Sequence, residues 1–427
     1  MTDGLGLEGA YSATLSRIKG QGGEKARLGM AALMWISHSE RPLEADELCH
    51  ALAVEIGSSN FNSGNIPSIR TLLACCQGLV AVDKETSTIR LIHFTLQEHL
   101  RAQPELFVTA HSTMAETCLS YLNSHQVKAL SASLPPDPPY TPLLHYFSQY
   151  IPLPPYSPQD MPFLQYSSLY WGTHARRDLS DCAKALALQL FGDYNNHIST
   201  RILLNEKFML PVGLDKPPLF SGLHCASVFG IVEIVDILVE VEGYNINQED
   251  CVGNTPLLWA ASGGHEGVVK VLLERDDVDP NKPDNDGRTP LCSAARSGHQ
   301  GVVKILLERT DINPNKLETD GQTPLCCAAE NGHEGVAKML LERDDVNPDK
   351  PNAQDQTPLW WAAKNGHKGV VKILLERRGV NPDKPDSGGQ TPLSCAASSG
   401  HEGVVQMLLG RHNVNLDKPD NDRKTPL

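Results

Sequence analysis

The chain of 427 residues lacks a stretch able to cross a bilayer: its longest plain apolar run is Met30–Ile36, against the ~20 residues a spanning helix needs. Nothing between Met1 and Ala10 has the basic-then-apolar form of a secretory leader, so none is read there. Basic charge is also short. Lys and Arg number 37 against 51 Asp and Glu, a net charge of −14. Residues 1–220 carry 16 against 20, and residues 221–427 carry 21 against 31. That deficit disfavours nucleic-acid backbones and anionic membranes, both of which select a basic face. Catalytic signatures are missing too. No G-x-x-x-x-G-K-[ST] loop occurs, so no residue is offered to a nucleotide. No Gly-x-Ser-x-Gly elbow occurs, and His265-Glu266-Gly267-Val268-Val269 lacks the second His of a zincin helix. Gly4-Leu5-Gly6-Leu7-Glu8-Gly9 spells G-x-G-x-x-G with only three residues before it; no strand can precede it and no βαβ unit follows, so it is no dinucleotide loop. The eleven cysteines include no C-x-x-C and read as reduced, buried thiols of an intracellular protein. The expectation is a non-enzyme with no catalytic residue, metal or cofactor, placed in the cytoplasm with the nucleus as the alternative.

What the chain does have is a strict repeat. Thr-Pro-Leu recurs at Thr255, Thr289, Thr323, Thr357, Thr391 and Thr425 in steps of 34 residues, after a weaker copy at Ser221-Gly222-Leu223-His224-Cys225-Ala226. A fixed period of this length means stacked units, because one unit cannot bury its own apolar stripe. In residues 255–288, Thr255 is suited to cap a helix with Pro256 at its first position. Leu257, Ala260 and Ala261 form a small apolar face that Gly263-Gly264 ends. Val268, Val269, Leu272 and Leu273 mark a second helix, with Glu266 in its first turn and Arg275 in its last. Asp279 to Gly287 is rich in turn formers and reads as a protruding, hairpin-like loop. Lys270/Glu274, Lys304/Glu308, Lys338/Glu342 and Lys372/Glu376 are expected to be i,i+4 surface pairs of small energetic value.

Thr-Pro-Leu, the Ala-Ala pair, Gly-His (264–265, 298–299, 332–333, 366–367, 400–401), Val-Val-x-x-Leu-Leu and the Asp-Val-Asn-Pro ending resemble the ankyrin repeat over residues 217–427. The Gly-His histidines are read as structural. The family's His after Thr-Pro-Leu is replaced by Leu258, Cys292, Cys326, Trp360 and Ser394; only the weak first copy keeps it, as His224. The resemblance implies that loop tips and first helices line a binding groove. Two sets of columns differ between the copies there. One holds the residue before Thr: Asn254, Arg288, Gln322, Gln356, Gln390 and Lys424. The other follows Ala-Ala: Ser262-Gly263, Arg296-Ser297, Glu330-Asn331, Lys364-Asn365 and Ser398-Ser399. Arg288, Arg296, Gln322, Glu330, Gln356 and Lys364 are therefore the candidate partner-reading residues, the alternative being a solvated face free to vary. Trp259, Trp360 and Trp361 are expected to pack between repeats rather than to anchor a partner.

Upstream, Ala26–Ile36, Glu44–Val54 and Ile66–Gln77 read as three helices, and Leu79–Val82 and Thr88–Phe94 as two strands. Thr95-x-x-Glu98 reads as a capping box that opens the next helix. This is the order of a winged helix. Its third helix offers one cation, Arg70, and residues 24–125 hold 7 basic against 11 acidic groups, so DNA reading is the lesser alternative. Ala32-Leu33-Met34-Trp35-Ile36-Ser37, Glu47-Leu48-Cys49-His50-Ala51-Leu52, Cys76-Gln77-Gly78-Leu79-Val80 and Ile92-His93-Phe94-Thr95 resemble the winged-helix segment after the NACHT switch of fungal NLR-like receptors. That segment is labelled the GPI inositol-deacylase winged helix, a label that implies no lipid hydrolysis. Pro162–Tyr166 and Tyr170–Ala175 resemble the helical connector of the same proteins, and the likeness spans residues 5–192. The phosphate loop of a NACHT domain is absent.

The expected fold is mostly α: a winged-helix domain and helical connector, then an ankyrin-repeat α-solenoid. The expected limits are a leading helix over 1–23, the winged helix over 24–108, a Pro-rich connector over 109–216, and repeats at 221–254, 255–288, 289–322, 323–356, 357–390 and 391–424. A seventh copy starts at Thr425; with no polar capping unit after it, the array is expected to be incomplete. The expected function is a non-catalytic protein–protein interaction scaffold of signalling or innate-immunity-receptor descent, binding a protein through its groove and neither nucleotide nor membrane. The alternative is a DNA-associated regulator that uses the winged helix.

Overall fold

A computed structural model describes residues 6–132, 160–208, 219–241 and 244–426. The chain divides into two compact units, residues 1–222 and 223–427. The described residues are mostly helical, with three short strands.

The first unit opens with α1 (Gly6–Gly20) and α2 (Gly23–His38). Strand β1 (Leu43–Glu44), α3 (Ala45–Ala53), α4 (Ile69–Cys75), β2 (Val80–Val82) and β3 (Thr88–Leu91) follow. The strands form one antiparallel sheet in the order β1-β3-β2, with Leu43 opposite Ile89 and Val80 opposite Leu91. This is winged-helix topology. Its core is Leu33, Trp35, Leu43, Leu48, Leu72 and Leu96, all nearly inaccessible. Asp83 shapes the wing by accepting the backbone N–H of Glu85 at 3.0 Å, an Asx turn.

One local expectation fails here. Helix α5 (Phe94–Arg101) starts before Thr95, and its cap is His93, whose ring accepts the Thr95 N–H at 3.3 Å. The Thr95 hydroxyl instead bonds Tyr11 at 2.9 Å, a tertiary contact that no local pattern encodes. The box that does form is on α3, where the Glu47 carboxylate takes the Glu44 N–H at 2.9 Å. Glu47 also holds Arg41 through bonds of 2.7 and 2.6 Å.

Helices α6 (Ala110–Leu122), α7 (His125–Ala132), α8 (Phe163–Arg177), α9 (Asp181–Phe191) and α10 (Ile198–Ile202) complete the unit. Trp35, Phe163, Tyr166 and Tyr121 pack edge-on and stacked, with ring centres 5.2 to 5.8 Å apart. A buried polar chain runs beside them: Glu40 N–H to Tyr166 Oη at 3.2 Å, Tyr166 Oη to His174 Nε2 at 2.9 Å, and His174 Nδ1 to His111 Nδ1 at 3.0 Å. Of the Pro-rich connector expected over 109–216, residues 133–159 and 209–216 lie outside the described residues.

The second unit is a stack of helix pairs. These are α11 (Gly222–Phe229) with α12 (Val232–Val239), α13 (Pro256–Ser262) with α14 (Glu266–Leu273), and α15 (Pro290–Ser297) with α16 (Gln300–Leu307). Next come α17 (Pro324–Glu330) with α18 (Glu334–Leu341), α19 (Pro358–Lys364) with α20 (Lys368–Glu376), and α21 (Pro392–Ser398) with α22 (Glu402–Leu409). Five of the six marker Thr residues cap a helix: Thr255, Thr289, Thr323, Thr357 and Thr391 accept the N–H three residues on. Leu257, Ala260, Ala261, Val268, Val269 and Leu272 are 0 to 2 % exposed. The alanines let first helices approach their neighbours in the row.

Three polar ladders stitch neighbouring repeats. The Gly-His histidines reach back 37 residues, Nε2 to carbonyl: His299 to Ser262 at 3.0 Å, His333 to Arg296 at 3.0 Å, His367 to Glu330 at 2.9 Å and His401 to Lys364 at 2.8 Å. Loop tips bond through backbone, Asn285 N–H to Val252 at 3.1 Å and Thr319 N–H to Asp286 at 2.8 Å among them. On another edge Asn247, Asn281 and Asn315 each bridge the next repeat with both amide atoms.

Two surface expectations are corrected. Arg275 lies beyond α14, which ends at Leu273, and pairs with Glu240 at 3.2 Å and Asp277 at 3.4 Å. Among the described residues no ion pair joins Lys270 to Glu274, Lys304 to Glu308, Lys338 to Glu342 or Lys372 to Glu376. Glu274, Glu308 and Glu342 stand at the C-caps of their helices, their backbone N–H groups still bonded to the carbonyls of Lys270, Lys304 and Lys338.

Candidate interaction surface

The row of first helices carries the columns that vary from repeat to repeat. The bonds that fix it come first. Each His ladder bond ends on the last turn of the preceding first helix, so the backbones of Arg296, Glu330 and Lys364 are held by His333, His367 and His401. The column after Thr-Pro-Leu supplies a second tie. His224 Nε2 bonds the Gln248 carbonyl at 2.9 Å and that of Asn254 at 3.2 Å. Where Cys replaces it, the thiols of Cys292 and Cys326 point at the carbonyls of Lys316 and Lys350, 3.9 and 3.6 Å away. The fold therefore survives loss of this His with a weaker bond in its place.

Of the six candidate residues, the structure brings three together. Arg296 donates to Gln322 Oε1 at 3.2 Å and lies 3.5 Å from Glu330 Oε2, and Gln322 Nε2 donates to Glu330 at 3.1 Å. The group closes on Glu318, which Arg296 meets at 2.6 Å. The Glu318 side chain is only 3 % exposed; burial raises its carboxyl above the usual range, against the pull of Arg296. Cys327 sits against the same guanidinium at 3.3 Å. Its thiol is held well above the usual range by its hydrogen bond with Cys292 and by burial. Gln322 is itself buried, so its role in this group is internal.

The other three stand apart. Arg288 is exposed and pairs with Asp286 at 3.2 Å. Gln356 is half-buried, its side-chain oxygen taking the Asn352 amide at 2.9 Å. Lys364 is exposed and lies over two indoles, 4.8 Å from the Trp360 ring centre and 5.3 Å from that of Trp361, within reach of a cation–π attraction. Trp259 and Trp360 are buried at 9 and 3 % exposure, in keeping with packing between repeats; Trp361 is half-buried.

Sequence reasoning missed Glu318, Asn352 and Asp250. All fall in one column, Asp250, Asp284, Glu318, Asn352, Asp386 and Asp420. Its signal was present: Glu318 and Asn352 break an otherwise constant Asp. Among the described residues no cluster of His, Cys, Asp or Glu could hold a metal, and no helix is long and apolar enough to cross a membrane.

Comparison with known families agrees with this architecture. Residues 223–317 and 312–386 match the family described as ankyrin repeats (3 copies), and residues 388–421 match the single ankyrin repeat. Residues 16–111 match the winged helix domain of GPI inositol-deacylase. A solved structure of the human ASB11 ankyrin repeat domain is 29 % identical, covering 48 % of this chain and 90 % of that one, with a TM-score of 0.43. No curated protein matches.

Proposed function

We propose that this chain is a non-catalytic protein-interaction scaffold whose ankyrin repeats bind a protein partner along the face of α13, α15, α17, α19 and α21. The observation that carries the reading is the split between constant and variable columns. Thr caps, His ladder and Asn ladder hold the row rigid, while the side chains it presents change from repeat to repeat. A pre-ordered surface loses little entropy on binding. Arg288, Arg296, Gln322, Glu330, Gln356 and Lys364 are the proposed readers, with the buried Gln322 acting by fixing Arg296 and Glu330.

The winged helix and its helical neighbours are proposed to link the repeats to a regulatory partner in the cytoplasm, as in receptors of the NLR-like type. Its third helix, α4, supports that reading over DNA binding, since Arg70 is its only cation.

The test is a selection of random 12-residue displayed peptides against the full chain. Enriched peptides should bind the parent and lose binding to a chain with all six positions changed to alanine, its circular dichroism unchanged. Equal binding to that variant, or no enrichment at all, refutes the reading.

A further inference from the structure

Trp259 and Trp361 occupy one column of the repeat, and their surroundings differ in an instructive way. The Trp259 Nε1–H donates to the Asp250 carboxylate at 2.9 Å. In the Trp361 repeat that acid is Asn352, and its side chain is turned elsewhere. Its Nδ2 donates to Gln356 Oε1 at 2.9 Å, and its Oδ1 accepts the N–H groups of Gln354 and Gln356 at 3.0 and 2.9 Å. The Trp361 Nε1–H is consequently buried with no acceptor, as is that of the adjoining Trp360. A second change accompanies the first. Where the Trp259 repeat has Ser262, this one has Lys364. Lys364 is exposed, extends over both indoles, and is in no ion pair among the described residues. Arg288 and Arg296, in contrast, are already matched by Asp286 and Glu318.

The repeat has thus lost its internal carboxylate and gained a cation at the same place. We infer that Lys364, seated over the Trp360 and Trp361 indoles, receives an Asp or Glu side chain from the partner protein, its carboxylate pairing with the exposed ammonium. The inference rests on the reading of this face as the protein-binding one, and it names the chemistry at one point of it. One cation suits a monoanion; a phosphate dianion is ordinarily held by several arginines. The surrounding array, with 21 basic and 31 acidic residues over 221–427, repels a polyanion, whereas one carboxylate meets Lys364 inside a screening length of about 8 Å.

The peptides enriched on the full chain test this directly. The enriched set should carry an acidic residue, and changing it to its amide should weaken binding about tenfold, the scale of one charged hydrogen-bonded contact. Lys364→Gln should cost the acidic peptides a similar factor and leave their amide forms unaffected. Asn352→Asp returns the internal carboxylate seen beside Trp259, a negative charge that opposes an incoming acid, so it should weaken acidic peptides while the melting midpoint stays at or above that of the parent. If amide and acid forms bind alike, or if Lys364→Gln and Asn352→Asp bind like the parent, the carboxylate site is overturned. Preference for a phosphoserine in place of the acid overturns it too. Loss of binding in the six-alanine chain alongside any of these results leaves the broader groove reading standing, so the two failures are told apart.

Discussion

Asp349→Asn should stabilise the repeats, and the size of the gain follows from the Asn ladder. Asn247, Asn281 and Asn315 accept the N–H of Asp279, Asn313 and Asn347 at 2.9, 2.8 and 2.9 Å. The same amides donate to the carbonyls of Asp277, Asp311 and Asp345 at 2.6, 2.7 and 2.6 Å. Asp349 fills this column one repeat later. Its Oδ2 takes the Asn381 N–H at 3.0 Å, but its Oδ1 is buried without a partner, because a carboxylate has no hydrogen to give the counterpart carbonyl at Gly379. Burial raises its carboxyl above the usual range, with the Asn381 N–H and Lys384 opposing. Restoring one hydrogen bond contributes about 1 kcal/mol and removing an unmet buried acceptor about 1–3; the half-buried setting reduces the sum to about 1–2 kcal/mol. At ~2–4 °C per kcal/mol for an array of this size, the melting midpoint should rise by several degrees. The sign with pH is fixed as well. A carboxyl whose folded pKa exceeds the unfolded value of about 3.9 binds more protons in the native state. Parent stability therefore falls as pH rises through that window, and the gain from Asn is full at pH 7 and shrinks on acidification. Thermal melts by circular dichroism at pH 7 and pH 4 measure both. An unchanged midpoint at pH 7, or a gain independent of pH, would refute the reasoning. It would mean that the altered end of α20, where Arg377 is extended, holds the Gly379 carbonyl out of reach.

The remaining predictions concern the His ladder, the buried ion pair and acid. A Cβ on Gly332 (φ +75°) would lie 2.6 Å from the His367 ring, while Gly400 (φ +74°) faces open space. Gly332→Ala should therefore cost about 1–2 kcal/mol more than Gly400→Ala in urea unfolding; equal costs would show that the ring yields freely. Arg296→Met strands Glu318 and should cost about 2–3 kcal/mol, allowing for the partly exposed guanidinium. With Glu318→Gln added, the total should fall short of the sum by at least about 1 kcal/mol, and additivity would dismiss the pair as a unit. In the first unit, burial pushes His174 down to about 3 and His197 down to about 4. Between those values and the usual ~6.5 the unfolded chain binds more protons, so stability rises with pH and is lost on acidification. Hydrogen exchange of α8 at pH 7 and pH 5 should show the loss, and His174→Gln should flatten the slope; a slope unchanged in that variant counts against the assignment.

The parts legible in the sequence were those set by local rules repeated many times. A Thr cap, a Pro at the first helical position and an apolar pair at fixed spacing recur in five copies, and the period itself shows where one unit meets the next. The winged helix was readable from the spacing of its apolar residues, except for β1: two residues, Leu43 and Glu44, show no alternation. The capping box at Thr95 failed because Tyr11 and His93 claim its hydroxyl. The candidate site was half legible. Variation between copies pointed to Arg296 and Lys364, but not to what each one touches. Glu318 lies 22 residues from Arg296 in the chain, a separation that only the stacking of one repeat on the next can close.

That stacking also decides how binding and stability are coupled. The His ladder bonds of His333, His367 and His401 end on the carbonyls of Arg296, Glu330 and Lys364. The residues proposed to read a partner are therefore the same residues whose backbones the next repeat fixes. In a nearest-neighbour array, losing one interface frees the units on both sides of it. A change at His401 should then loosen Lys364 over the paired indoles without touching the surface itself. It would weaken an acidic partner through lost pre-ordering, while a Lys364 substitution would weaken it through lost charge. Salt separates the two causes. Binding by the parent and by a His401→Ala chain should fall in parallel as ionic strength rises, because both retain the ammonium, whereas a Lys364→Gln chain should show a flatter dependence.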